Sequence, residues 1–175
     1  MELVLTAMSK DRPGIVEDIA AVIASHDGNW VQSSMAKLGG EFAGIVQFTA
    51  PEQEAEKLMA ALVNLSEKGI TIEIALDATQ DHSGEGEVAV IELTGLDHKG
   101  IVHEITQMLR EKNVMIDHLE TNIYTASMAG EPMFCARAEI RLPENLTIDQ
   151  LNQAAEAIAE DIMVEITLEI EENQL

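Results

Sequence analysis

The sequence predicts an α+β protein built from two βαββαβ modules in tandem, each an antiparallel sheet with two helices on one face. Three observations carry this. The 175 residues suffice for two small domains. A short motif recurs after 86 residues. The switch between two-residue and three-to-four-residue apolar periodicity also follows the same order in both halves.

The motif is Asp11-Arg12-Pro13-Gly14-Ile15-Val16, followed by Ile19, Val22 and Ile23. Its counterpart is Asp97-His98-Lys99-Gly100-Ile101-Val102, followed by Ile105, Met108 and Leu109. In both copies the apolar residues fall on one helical face and a Gly stands at the start of the helix. Shared identities together with a shared stripe mark a duplication.

In the first half, Glu2 to Met8 is a β-rich segment and Pro13 to about His26 an amphipathic helix, with Pro13 presetting its first turn. Trp30 to Leu38 and Phe42 to Ala50 form a hairpin around Gly39-Gly40. Pro51 and Glu52 open a second helix that buries Ala55, Leu58, Met59 and Leu62 and ends at Gly69. Ile70, Ile72, Ile74 and Leu76 alternate along a last strand. In the second half, strands are expected at Val88–Leu93, from Met115 to about Tyr124, around Phe134–Leu142 and over Ile162–Ile170. Helices are expected over Ile101 to about Glu111 and after Leu146-Thr147. The stretch from Thr125 to Pro132 lengthens this half's hairpin. Asp77 to Gly86 has the composition of a linker, dividing the chain into domains at 1–80 and 87–175 with a linker at 81–86. This order is the split-βαβ, ferredoxin-like arrangement.

Composition narrows the function. Ten basic residues against 32 acidic ones give a formal charge of −22, the opposite of the cationic footprint that nucleic acid requires. From Leu142 onward there is no Lys or Arg, which suits either a solvated acidic surface or a basic protein partner. Aromatics at 3% leave few stacking platforms for bases or sugars. No apolar run is long enough to cross a bilayer, and Met1 leads directly into a strand-like segment without a signal-type apolar region. A lone Cys135 excludes internal disulfides and Cys-based zinc sites. A cytoplasmic protein is expected, without membrane association or cofactor.

The loop between the first strand and first helix is where chemistry fits best. First-turn N–H groups have no internal partners and carry the positive end of the helix dipole, so a small carboxylate is favoured there. Gly14 allows close approach to the backbone, and Asp11 suits an ammonium group. Together these match a free amino acid. The residues alone leave a second reading open, in which Asp11 caps the helix and Gly14 serves only tight packing.

Asp11-Arg12-Pro13-Gly14-Ile15-Val16 with Asn29 eighteen residues after Asp11 resembles the ACT domain, a regulatory module of amino-acid metabolism. The likeness spans roughly residues 1–77 and 86–172, and a free-standing tandem of such modules is similar to the glycine cleavage system transcriptional repressor family. The resemblance implies a non-enzymatic protein that binds a small amino acid, such as glycine or serine, between ACT domains. It implies action through a transcription regulator rather than on DNA, repression of glycine cleavage genes, and ACT pairing within a chain or in a homodimer. It also implies ligand contacts at Asp11, Arg12, Pro13, Gly14, Ile15 and Asn29, and at Asp97, His98, Gly100 and Ile101 in the second copy. There Met115 stands where the amide of Asn29 would lie, and a thioether cannot replace an amide. Asn113, two residues earlier, is expected by strand alternation to share the face of Met115.

Two other functional classes compete: a ligand-free protein–protein adaptor, and an acylphosphatase-type enzyme on the same fold using Arg12 and Asn29. The loop Ser9-Lys10-Asp11-Arg12-Pro13 lacks the glycine-bearing phosphate cradle of the latter, and Asp11 repels phosphate. His26, His82, His98, His103 and His118 lack helical metal spacing, and a structural thiol is expected of Cys135. Ser33-Ser34 has no nucleophile elbow, and Met163 and the other methionines read as core filling.

Overall fold

The computed structural model describes residues 1–75, 86–125 and 130–170. Contacts divide the chain into two units, Met1–His82 and Ser83–Leu175. The linker expected at 81–86, apart from Gly86, lies outside the described residues, as do Leu76, His82, Glu171 and the middle of the longer second hairpin.

The first unit runs β1 (Glu2–Lys10), α1 (Ile15–Ser25), β2 (Asn29–Leu38), β3 (Glu41–Thr49), α2 (Glu52–Val63), a 3-10 turn (Asn64–Lys68) and β4 (Ile70–Ala75). The second runs β5 (Val88–Leu96), α3 (Ile101–Glu111), β6 (Met115–Thr125), β7 (Pro132–Arg141), α4 (Ile148–Ile162) and β8 (Val164–Ile170). The sheets have equivalent orders, β2-β3-β1-β4 and β6-β7-β5-β8, and every pairing is antiparallel. Each unit is therefore the expected α+β, ferredoxin-like module.

Alternation along β1 sends Leu3, Leu5 and Ala7 under the helices and leaves Thr6 and Met8 on the open face. Ile19 and Ile23 of α1, Leu58 and Leu62 of α2, Phe48 of β3 and Ile70 of β4 close the first core, none more than 2% exposed. Each such side chain contributes about 1.5–3 kcal/mol on burial. In the second unit Ile101, Leu109, Ile140, Leu142 and Leu151 play the same part. Gly39 and Gly40, with φ of 59° and 83°, form the two-residue hairpin turn between Leu38 and Glu41. Both edge strands carry a register shift at the same place, between Trp30 and Gln32 and between Ile116 and His118. The duplication thus extends to an irregularity that no composition would reveal.

Three local expectations are corrected. The first helix starts at Ile15 rather than Pro13, because Gly14 adopts a left-handed conformation (φ 90°) that a right-handed helix cannot contain. Ile162 belongs to the buried end of α4, and the last strand starts at Val164. Met163 between them is left-handed (φ 53°) and 77% exposed, so it fills no core; Met108, by contrast, is buried.

The capping box at Thr147, whose hydroxyl accepts from the Gln150 N–H while Gln150 Oε1 accepts from the Thr147 N–H, starts α4. Thr147→Ala is expected to lower stability by about 1 kcal/mol. Phe48→Ala, at a fully buried ring, is expected to cost about 3–5 kcal/mol. Urea unfolding of both variants checks the ordering as well as the sizes.

Candidate functional site

The β1–α1 loop is held at both ends by backbone. Asp11 N–H donates to the Gly40 carbonyl (3.0 Å), tying the loop to the hairpin, and Asp18 N–H donates to the Gly14 carbonyl (2.9 Å) as the first helical bond. No side chain caps α1. The reading of Asp11 as a cap therefore fails: its carboxylate pairs instead with the Lys37 ammonium of β2. Ile15 is buried in the core, so what it offers at the loop is its backbone, while Asp11, Pro13 and Gly14 are exposed.

Arg12 crosses the loop. Its Nη1 donates to the Pro13 carbonyl (3.1 Å), and its Nη2 donates to Asp18 Oδ2 (2.8 Å) and to the Lys68 carbonyl (3.3 Å), where the 3-10 turn ends. Lys68 Nζ donates to the other carboxylate oxygen of Asp18. Hydrogen bonds from Lys68 and then Arg12 hold the Asp18 carboxyl below its ordinary value of 3.8. Lys10, Arg12, Lys37 and Lys68 place four of the chain's ten basic residues around this one end of the first unit. Each is paired with a carboxylate: Lys10 with Glu41, Lys37 with Asp11, and Arg12 and Lys68 with Asp18.

The second copy repeats the frame with one exchange. Asp97 N–H donates to the Pro132 carbonyl (2.9 Å), Gly100 is left-handed (φ 103°), and its carbonyl accepts from Glu104 N–H (3.0 Å). His98 stands in the place of Arg12, with Nε2 2.8 Å from the Ile162 carbonyl and Nδ1 3.2 Å from the Lys99 carbonyl. Those two carbonyls, Ile162 first, raise the pKa of His98 above 6.5, helped by Glu104 and Asp97. Ile101 is buried like Ile15.

Asn29 lies elsewhere. It opens β2 opposite Thr49, which pairs with Glu2 at the start of β1, whereas the loop follows Lys10 at the other end. The nine residues of β1 separate the two places by about 30 Å. One unit cannot bring Asn29 and the Asp11–Ile15 loop to the same small molecule. Met115 occupies the position of Asn29 in the second unit, paired with Arg141. Asn113 is left-handed (φ 55°) and precedes β6, so it does not share a strand face with Met115.

Sequence reasoning missed Lys37, Lys68 and Asp18, which surround the loop only after the hairpin and the end of α2 fold back beside it. The spacing of Lys37 before Gly39-Gly40 and of Lys68 before Gly69 was the available signal. Edge strand β6 exposes Ile116, Leu119 and Ile123, an apolar row beside α3. Among the described residues no group of His, Cys, Asp or Glu is arranged to hold a metal, and no helix is long and apolar enough to cross a membrane. Cys135 is half-buried on β7, its Sγ 3.5 Å from the Asn122 carbonyl.

Because the folded state lowers the pKa of Asp18, its ion pairs stabilise the protein above pH 3.8 and are lost as pH falls through the depressed value. Asp18→Asn is therefore expected to be less stable than the parent at pH 7, with a narrower gap at pH 3. Urea midpoints at the two pH values test this; an equal gap at both would mean that the ion pairs contribute nothing.

Residues 2–75 match the model of the ACT domain family. No curated protein sequence matches the chain. A protein of Galdieria sulphuraria of unknown identity is similar over 98% of both chains, with 28% identity and a TM-score of 0.85. A protein proposed to be a glycine cleavage system transcriptional repressor shares the fold over 98% of both chains, with 19% identity and a TM-score of 0.74. The first half of the chain thus carries an ACT domain, and the second half repeats its motif, sheet order and loop geometry.

Proposed function

We propose that this chain is a non-catalytic regulatory protein that binds a small free amino acid, such as glycine or serine, between ACT modules. It acts in the cytoplasm through a protein partner, a transcription regulator, to repress glycine cleavage genes, and binding of the amino acid alters its grip on that partner and relieves the repression. The observation that carries the reading is the uncapped start of α1 behind left-handed Gly14, on a loop whose Asp11 and Arg12 are fixed by ion pairs to Lys37 and Asp18. Helix N–H groups without a side-chain acceptor, at the positive end of the dipole, suit the carboxylate of an amino acid. Asp11, whose carboxylate pairs with Lys37, is exposed on the loop and would take the ammonium in exchange for that pair. By equivalence, Asp97, His98, Gly100 and Ile101 form the second loop.

The separation of Asn29 from the loop supports placement between modules. An amino acid touching both takes the loop from one ACT module and the amide from another, so the ligand links two modules. The unpaired edge strands β2 and β6, the latter with its apolar row, favour such pairing, within a chain or in a homodimer. A ligand that prefers one arrangement of modules shifts the population toward it and thereby the surface shown to the partner. Glu165 and Glu169 on the open face of β8 suit a basic patch on that partner. The same distances speak against an acylphosphatase-type activity, since Arg12 is engaged by Asp18 and the Lys68 carbonyl and Asn29 is remote.

Thermal unfolding across a panel of free amino acids tests the proposal. A ligand present at a hundred times its dissociation constant is expected to add about 2.7 kcal/mol and to raise Tm by several degrees. Asn29→Ala is expected to abolish that rise. No rise with any amino acid would favour the ligand-free adaptor.

A further inference from the structure

The two units solve one structural problem with different chemistry. In each, the loop after the first strand must be tied to the corner where the second helix hands over to the last strand. In the first unit Arg12 does this, donating to the carbonyl of the next residue, Pro13, and to the carbonyl of Lys68, immediately before left-handed Gly69 (φ 78°). In the second unit His98 makes the same two contacts, to the carbonyl of the next residue, Lys99, and to that of Ile162, immediately before left-handed Met163. Both side chains are half-buried, and both reach carbonyls at the negative end of a helix.

A guanidinium has donors for both carbonyls at any pH. An imidazole has them only when protonated: the neutral ring carries one N–H, and its other nitrogen then presents a lone pair to an oxygen lone pair. We propose that His98 is a pH-operated clamp between the β5–α3 loop and the α4–β8 corner, engaging both carbonyls as an imidazolium and releasing one of them as a neutral ring. The corner it holds is strained where its counterpart is not. Met163 carries a side chain in the left-handed region, where the first unit uses Gly69. Releasing the clamp therefore frees a segment that is already predisposed to move, and with it the seating of edge strand β8.

The charged groups around the ring favour the closed form. Asp97 on the loop and Glu104 in the first turn of α3 both attract the imidazolium, and the Ile162 and Lys99 carbonyls add to this. Asp161 precedes the acceptor residue on α4, Glu165 follows on β8, and Lys99, adjacent on the loop, is the one nearby cation in the sequence. The folded state thus raises the pKa of His98, so the clamp's stabilisation is complete below pH 6.5 and is lost as pH rises through the elevated value. The first unit, clamped by Arg12, has no such dependence at this corner.

The clamp rests on the contacts of His98 with the Lys99 and Ile162 carbonyls, and its test uses no ligand. In an NMR titration of the intact chain from pH 5.5 to 9, the His98 ring is expected to keep its proton to higher pH than an ordinary histidine. The backbone amide of Met163 is expected to move with the same midpoint, and amide exchange at the end of α4 to quicken several-fold above it. His98→Arg, which copies the first unit, is expected to leave the Met163 amide still across this range. His98→Gln, with one donor group and no charge, is expected to hold it near its alkaline position throughout. A His98 ring titrating at or below pH 6.5, or a Met163 amide that titrates unchanged in either variant, would overturn the proposal.

Discussion

Each unit depends on covering one aliphatic sheet face with two helices. Leu3, Leu5, Val46, Phe48 and Ile70 in the first sheet, and Ala89, Ile91, Leu93, Ala138 and Ile140 in the second, can leave water only if α1 with α2, or α3 with α4, lie across them. Aromatics supply little of this area, so many small aliphatic contributions must add up. The covering also dictates where the chain must reverse. After β1 and β5 it has to turn back over the sheet within four residues, and Gly14 and Gly100 make that reversal by adopting a left-handed backbone.

Those reversals leave α1 and α3 without side-chain caps, and the two units handle the consequences differently. In the first, acidic Asp18 in the opening turn of α1 is matched by Arg12 and Lys68, while Lys37 holds Asp11. The result is an end where basic and acidic side chains are paired, on a chain that is otherwise strongly acidic. In the second, a histidine bridges the corresponding gap, and among the described residues no comparable set of lysine and arginine ion pairs surrounds it. Duplication preserved the frame, down to the backbone bonds Asp11–Gly40 and Asp97–Pro132, while the side chains mounted on it diverged. Divergence of this kind allows one module to recognise a ligand and its twin to respond to something else.

The distance between the loop and Asn29 gives the tandem arrangement its functional logic. Antiparallel pairing places the start of β2 beside the start of β1, so a module presents its loop at one end and its edge-strand amide at the other. No side-chain rearrangement within a unit closes a gap of about 30 Å. A small ligand that needs both ends is bound by an assembly rather than by a fold, and binding is then coupled to how modules associate.

Much of this was legible in the residues. The periodicities of Leu3-Leu5-Ala7 and of Ile15-Ile19-Ile23, and the motif recurring at Asp97, were enough for two βαββαβ units, because burial imposes a period of two on strands and 3.6 on helices. Boundaries were less legible where a left-handed residue intervened: Pro13 reads as a helix start until Gly14 is seen to break it, and Met163 reads as core until its backbone turns it outward. The loop was identified as chemically competent from its glycine and its charges. That Asp11 would pair with Lys37 rather than cap a helix, that Arg12 and His98 would reach the far corner of their units, and that Asn29 would lie a strand's length away were decided by tertiary structure alone. Local sequence determines what each segment can bury and how it can turn; which distant lysine or carbonyl arrives beside a charged side chain depends on how the sheet is ordered and how helices cross it.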